Sequence, residues 1–490
     1  MHARIALFTL AGSLATLQPA ALADTALTIY SSAQPGGIPA EWYRPVPGQN
    51  NWVNYSSIPG YAVVKEDRSI AFEKGEGELS FTGVAALLDP TTVSFISLDD
   101  ESTKVLEQDY RFDLVSNEKL IQRFIDQPVT VMTTQGSDRM AHSGTLLSAS
   151  GGLVLQKDSG GIVTIRDYDT IDFPSLPGGL LTKPTLVWKT WSPAGGEQET
   201  RLSYQTTGIT WWADYNLVFT PGEDANSGTV DVGAWVSILN KSGGTYADAK
   251  LKLVAGEVNR APVRETRSMM RGGGVLMEAA ADAAPKGFEE KSFFEYHLYT
   301  LGRPATIPDN STKQLELFEG SPRVPAEKVF VYDGARDAER VSVYLEFEND
   351  EDEGLGIPLP AGRVRVSQVD TADGSLEFVG EDTIDHTPRA ERVSVKVGNA
   401  FDIVGERSIQ RNDRDNARKT LVQEIEVTLR NRKADPVDVV VRERLIGYAG
   451  AQIVKASTDH EKIDAQTIEF PVTLAPDEEK VVTYTVRYTW

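Results

Sequence analysis

Apolar and polar residues alternate along much of this chain. Val341, Val343, Leu345 and Phe347 are separated by Ser342, Tyr344 and Glu346. Val364 and Val366 alternate with Arg363 and Arg365, and Val422, Ile425, Val427 and Leu429 form a similar run with an irregular start. A period of two, with one apolar and one charged face, is the pattern of an antiparallel strand packed on one side. Gly and Pro punctuate these runs, which predicts an all-β, multidomain protein made of immunoglobulin-like β-sandwich modules.

Residues 116–126 break the pattern. Ser116 is placed as an N-cap, and Leu120, Ile121, Phe124 and Ile125 share one face, which predicts a short amphipathic helix. Strand runs follow at 128–134, 142–149, 153–157, 162–166 and 168–173, divided by Gly/Asp/Ser turns. A short helix leading into five strands predicts a small five-stranded β-barrel over 116–176. The layout resembles Sm-like barrels, with Gly144 where such barrels bend a strand.

The rest divides by composition. Residues 24–115 form an N-terminal β domain that opens with a Pro/Gly/Asn-rich arm or lid carrying Trp42, Tyr43, Trp52 and Tyr55. Residues 177–490 form a C-terminal sandwich region, interrupted at 262–290 by a Gly/Ala-rich stretch with Met269 and Met270 that predicts a mobile loop. An internal echo supports sandwich modules. Leu239-Asn240-Lys241-Ser242-Gly243 and Leu429-Arg430-Asn431-Arg432-Lys433 each place Asn and basic residues at a turn between two alternating strands.

The N-terminus changes the picture of where the chain works. A basic start with Arg4, an apolar run from Ile5 to Leu17, and Ala21-Leu22-Ala23 before Asp24 predict a secretory signal peptide over 1–23, and so a periplasmic or secreted protein. No later apolar run is long enough for a transmembrane helix. The net charge of −22 becomes −23 once Arg4 leaves with the signal peptide. Repulsion from phosphate argues against nucleic acid and anionic membrane surfaces as partners. Cys is absent, which excludes disulfides, thiolate catalysis and Cys-ligated metals.

Several stretches resemble mucoidy-inhibitor-A-like proteins. They are Glu78–Val84 and Leu87–Phe95, then Leu202-Ser203-Tyr204 through Trp211-Trp212-Ala213-Asp214-Tyr215, Phe294–Tyr299 and Lys313–Phe318. Gly356–Gly362, Gly380–Pro388 and Asn431-Arg432-Lys433 continue the likeness. Relatives often carry a coiled coil where this chain has the segment 116–175, which lacks heptads. The resemblance implies an exported, all-β envelope protein without an established enzymatic activity.

Candidate chemistry is sparse. Walker A, G-x-S-x-G and H-E-x-x-H motifs are absent. His386, with Asp382 and Asp385 just before it, is the candidate metal or base site; a turn stabilised by Asp385 and Thr387 is the competing reading. Acidic stretches at Asn349–Gly354 and around Asp370, Asp373 and Gly374 are candidates for Ca2+, set against a solvated loop and a tight turn. Trp211 and Trp212 are adjacent, so in a strand they face opposite ways. One of them needs a second layer, a loop or water. Trp211, Trp212 and Tyr215 are therefore the candidate ligand-binding residues, able to stack on sugar rings if exposed. No catalytic residue and no cofactor besides Ca2+ is assigned. The C-terminal alternation Val482 to Trp490 fits either the last strand of a sandwich or that of an outer-membrane barrel. The expected function is an exported cell-envelope binding or scaffold protein whose partner is an envelope protein or a glycan. The alternatives are a glycan-acting hydrolase and an outer-membrane β-barrel.

Overall fold

A computed structural model describes residues 24–44, 55–135, 138–177, 180–224, 226–256, 288–293, 296–318, 320, 322–336, 339–445 and 450–490. The predicted signal peptide and nearly all of the predicted loop 262–290 lie outside the described residues. The end of that stretch enters the strand Phe288–Phe293, paired with Tyr296–Leu301. Nearly every described element is a strand, as the alternation requires; the helices are Ala40–Tyr43, Asn117–Arg123 and a 3-10 turn at Tyr55–Ser57.

One pairing scheme occurs twice. In the first copy, Asp24–Ser31 lies antiparallel to Gly60–Phe72 and parallel to Tyr246–Ala255. Gly60–Phe72 pairs with Gly196–Thr206, which runs on into Ile209–Pro221 and so to its partner Ser227–Asn240. Ser311–Glu316 then pairs with Ser227–Asn240, and Tyr246–Ala255 with Tyr296–Leu301 and Ala305–Ile307. In the second copy, Arg323–Tyr332 lies antiparallel to Arg340–Glu348 and parallel to Val437–Arg444. Arg340–Glu348 pairs with the first half of the long strand Arg392–Asp415, whose second half pairs with Thr420–Asn431. Glu479–Thr489 closes on Thr420–Asn431, and Thr467–Leu474 on Val437–Arg444.

The echo in the sequence is the corner of this duplicated unit. Asn240 Oδ1 accepts from the Ser242 amide, while Nδ2 donates to the carbonyls of Gly244, Ile307 and Pro308. Asn431 Oδ1 accepts from the Lys433 amide, while Nδ2 donates to those of Asp435 and Ala475. Both side chains are fully buried. A fully satisfied buried amide ties two chain crossings together where an aliphatic residue would leave carbonyls without partners.

The two copies are joined by shared strands. Arg323–Tyr332 pairs at its start with Ser227–Asp231 of the first copy and at its end with Val439–Val441 of the second. The hairpin Gly362–Ile384, inserted in the second copy, adds its first strand in parallel to Ala213–Phe219 of the first. One main core draws on residues from Leu27 to Leu88 and from Leu186 to Val395, so residues 24–115 share their core with strands from 185 onward. A second core spans Phe330 to Tyr488. Val482, Tyr484, Val486 and Tyr488 point into it, and their strand lies between Thr420–Asn431 and Gly450–Ala456. The C-terminal alternation thus serves a sandwich.

The first copy carries two insertions. Gly75–Thr82, Thr185–Ser192 and Lys104–Arg111 form a three-stranded sheet with Thr185–Ser192 in the centre. It packs on the larger sheet through Trp188, whose ring lies 5.5 Å from Phe81 and 5.1 Å from Phe95. The second insertion is the small unit. Ser116 caps its helix through a 3.3 Å bond from the Lys119 amide, and Ile121 and Phe124 pack on Val129, Val131, Leu146 and Leu155. The five strands follow as predicted, in the order Thr170–Asp172, Pro128–Gln135, Asp138–Ser148, Leu153–Lys157, Ile162–Ile165. They do not close into the expected barrel. The two end strands are only three and four residues long, and no ladder pairs them. Gly144 does sit at a close approach: a Cβ there would strike the backbone carbonyl of Gln156.

Candidate functional site

The candidate aromatic residues lie on the strand Ile209–Pro221. Trp211 and Tyr215 point into the main core, where the Trp211 ring meets Tyr299 edge-on at 6.3 Å and the Tyr215 hydroxyl donates to the Pro360 carbonyl at 2.7 Å. Trp212 points the other way, as adjacency requires, and finds its second layer in the N-terminal arm. Ile38, Ile58, Trp42 and Tyr43 cover it together with Leu239, and the Tyr43 ring stands 5.4 Å from it. All three side chains are buried, and none offers an open ring face for stacking.

Beside Trp212 the same outer face carries a polar network that the sequence did not single out. Asp214 is buried and accepts from Trp212 Nε1 at 2.7 Å and the Ser237 hydroxyl at 2.8 Å. Arg363 Nη2 reaches its other oxygen at 3.2 Å. Arg365, two residues on, pairs with Glu381 at 3.0 Å. Trp235, directly across the ladder from Asp214, leaves 41% of its surface exposed. Parallel pairing of Ala213–Phe219 with Gly362–Gln368 brings these residues together across about 150 positions of chain, a relationship that no local spacing encodes.

The candidate metal residues do not converge. Asp382 Oδ2 accepts from the Lys396 amide at 2.7 Å, and His386 Nδ1 accepts from the Ala361 amide at 3.0 Å. The Thr387 hydroxyl donates to the Asp385 carbonyl. Among the described residues no group of three His, Asp or Glu side chains has metal-binding geometry. Asp370 and Asp373 accept from the amides of Ala372 and Ser375 in a tight turn, and Asp350 from that of Asp352. Asn349, which opens the acidic stretch, is buried and holds the carbonyls of Ile357 and Pro388.

A concave site lies elsewhere, at the edge of the first sandwich. Among the described residues Leu88–Ser97 pairs only with Gly196–Thr206, and Lys104–Arg111 only with Thr185–Ser192. Successive strands joined by a short turn ordinarily pair with each other. Here they diverge into the two facing sheets, and a cleft of about 870 Å³ opens between them. Its floor is Val93, Phe95 and Val105, partly buried against the main core. Its rim carries Ile96, Leu98 and Leu106, each more than two fifths exposed. One end is tied by Gln108, which accepts from Trp188 Nε1 and donates to the Pro90 carbonyl, both at 3.0 Å. At the other end Thr103 bonds Ser192 at 2.9 Å. Strand texture at Val93 and Phe95 was visible in the sequence; the divergence of their strand from its neighbour was not.

No family model matches the chain, and no curated protein matches it.

Proposed function

We propose that the protein is an exported cell-envelope binding or scaffold protein, and that the cleft between Leu88–Ser97 and Lys104–Arg111 is its binding site. The observation that carries this is the divergence of the two strands, which leaves an apolar floor and two sheet edges facing a common space. A concavity with an apolar floor, ringed by the polar side chains of Ser97, Glu101, Thr103, Lys104, Glu107 and Gln108, has the form of a binding site. The candidate signal peptide supports the location, and the resemblance to mucoidy-inhibitor-A-like proteins agrees with an envelope role. The test is osmotic-shock fractionation, then capture of envelope neighbours by the mature chain and by Val105→Trp, which places a bulky ring on the floor of the cleft. Recovery from the soluble fraction of a neighbour that Val105→Trp loses is expected. Equal capture by both chains overturns the assignment of the cleft. Loss of the neighbour on adding chelator would assign Ca2+ to the acidic stretches.

A glycan ligand is the second reading. It is favoured by Trp235 and Trp191, whose rings lie about two fifths exposed on outer sheet faces. Retention of glycan fragments by the wild type and their loss in Trp235→Ala would support it.

A further inference from the structure

The cleft has the chemistry of a strand acceptor. Neither Leu88–Ser97 nor Lys104–Arg111 pairs with a further strand on the cleft side among the described residues. Unpaired edges of this kind are templates for another chain, and natural sheets usually cover or blunt them. An aliphatic ligand would fill the floor but leave the edge amides and carbonyls to water. An extended peptide satisfies both at once.

Charge selects the occupant. Alternation along Lys104–Arg111, shifted by a β-bulge at Leu106, sends Val105, Gln108 and Tyr110 inward, opposite Thr190, Trp188 and Leu186. Glu107 and Asp109 point outward, opposite Lys189 and Val187. On that outer face Glu76 and Glu78 lie across the central strand, with Lys189 placed 3.9 Å from Glu76 and 3.5 Å from Glu107. With Glu73 beside them, five carboxylates therefore face two cations, Lys189 and Arg111, the latter 3.6 Å from Asp109. A strand added beside Lys104–Arg111 would turn alternate side chains toward the apolar floor of the cleft and the others toward these carboxylates. A second copy of this chain, at net charge −22, is a poor occupant.

We infer that the cleft accepts an extended segment of a partner protein, apolar at alternate positions and carrying Lys or Arg between them, which adds to the edge of Lys104–Arg111 as a fourth strand. This rests on the cleft being the binding site. The probe is a capped eight-residue peptide alternating Val and Lys, with three companions: one alternating Val and Glu, one of scrambled order, and one N-methylated at alternate amides. Binding to the mature chain is measured by fluorescence anisotropy, and protection of the 104–111 amides by hydrogen exchange. The Val/Lys peptide is expected to bind and to slow exchange in 104–111. N-methylation should weaken it about tenfold or more, because the ladder is lost. Glu107→Lys with Asp109→Lys should weaken it about fivefold and favour the Val/Glu peptide. Unchanged exchange in 104–111, equal binding of the N-methylated peptide, or equal binding of the Val/Glu peptide to the wild type overturns the inference. Cleft-dependent capture of an envelope neighbour with no peptide binding would leave the cleft a binding site and remove the strand mechanism. Loss of both results removes both.

Discussion

Asn240 and Asn431 are structural equivalents: each ends a strand, caps its own turn through Oδ1 and holds the carbonyls of a distant strand end through Nδ2. They stand 191 positions apart in a chain whose two halves share a pairing scheme. The sandwich is thus duplicated, and each copy has been opened by a different insertion at the same place, after its second strand. In the first copy that insertion builds the cleft; in the second it supplies Arg363 and Arg365 to the outer face of the first.

Removing either amide should weaken its own copy. Asn431→Ala removes the donor to the carbonyls of Asp435 and Ala475, as Asn240→Ala does for those of Gly244 and Pro308. Each is expected to cost about 1–3 kcal/mol. Denaturant unfolding gives the loss, and hydrogen exchange should place it around each corner. A wild-type midpoint in both variants would remove the Asn corner as a structural element.

The second core holds an ion pair whose removal should be costly. Arg407 Nε lies 3.0 Å from both oxygens of Glu443, which is 1% exposed and also accepts from the Tyr484 hydroxyl at 2.6 Å. Arg407→Ala strands a buried carboxylate and is expected to cost about 3–5 kcal/mol. The check is the unfolding midpoint at pH 7. A variant as stable as wild type would show that water already reaches Glu443.

That carboxylate also sets a pH dependence. Burial pushes Glu443 above its ordinary value, with Tyr484 and Arg407 opposing; burial does the same to Glu66, with Arg68 and Tyr204 opposing. An acid raised in the folded state binds its proton more readily there than in the unfolded chain. Its favourable contribution is complete below the unfolded value of about 4.5 and is lost as pH rises through the folded value. Stability of the wild type relative to Glu443→Gln should therefore fall as pH rises through that window. A flat or rising difference contradicts the shift.

Trp212 should hold the N-terminal arm. Trp212→Ala removes the ring beneath Ile38, Ile58 and Tyr43 and the donor to Asp214, at an expected cost of about 3–5 kcal/mol. Limited proteolysis should then cut within the arm well before the sandwich strands. An arm as resistant as in the wild type would mean that other contacts fasten it.

Gly144→Ala tests the small unit. The added Cβ meets a backbone carbonyl, which cannot rotate away, so a loss of about 1–3 kcal/mol is expected. It should appear as faster exchange over 128–165 with the sandwich cores unchanged.

The sequence by itself determined the local features. Alternation with Gly/Pro punctuation specified strands, and the Ser116 cap with its apolar face specified the helix at 117–123. Five runs specified five strands, the adjacency of Trp211 and Trp212 specified opposite faces, and the two Asn turns were visible as an echo. These follow from interactions within a few residues, where periodicity and capping act. Tertiary structure decided the rest. It left the five-stranded sheet open, buried Trp211 and Tyr215 in the core and Trp212 under the arm, and tied Asp382 and His386 to two different backbone amides. It also sent two neighbouring strands into different sheets to make the cleft. Each of these depends on which edge a strand joins, and edges are chosen by pairing partners far away in the chain. A run of alternating residues states which face is apolar; it does not state its neighbour.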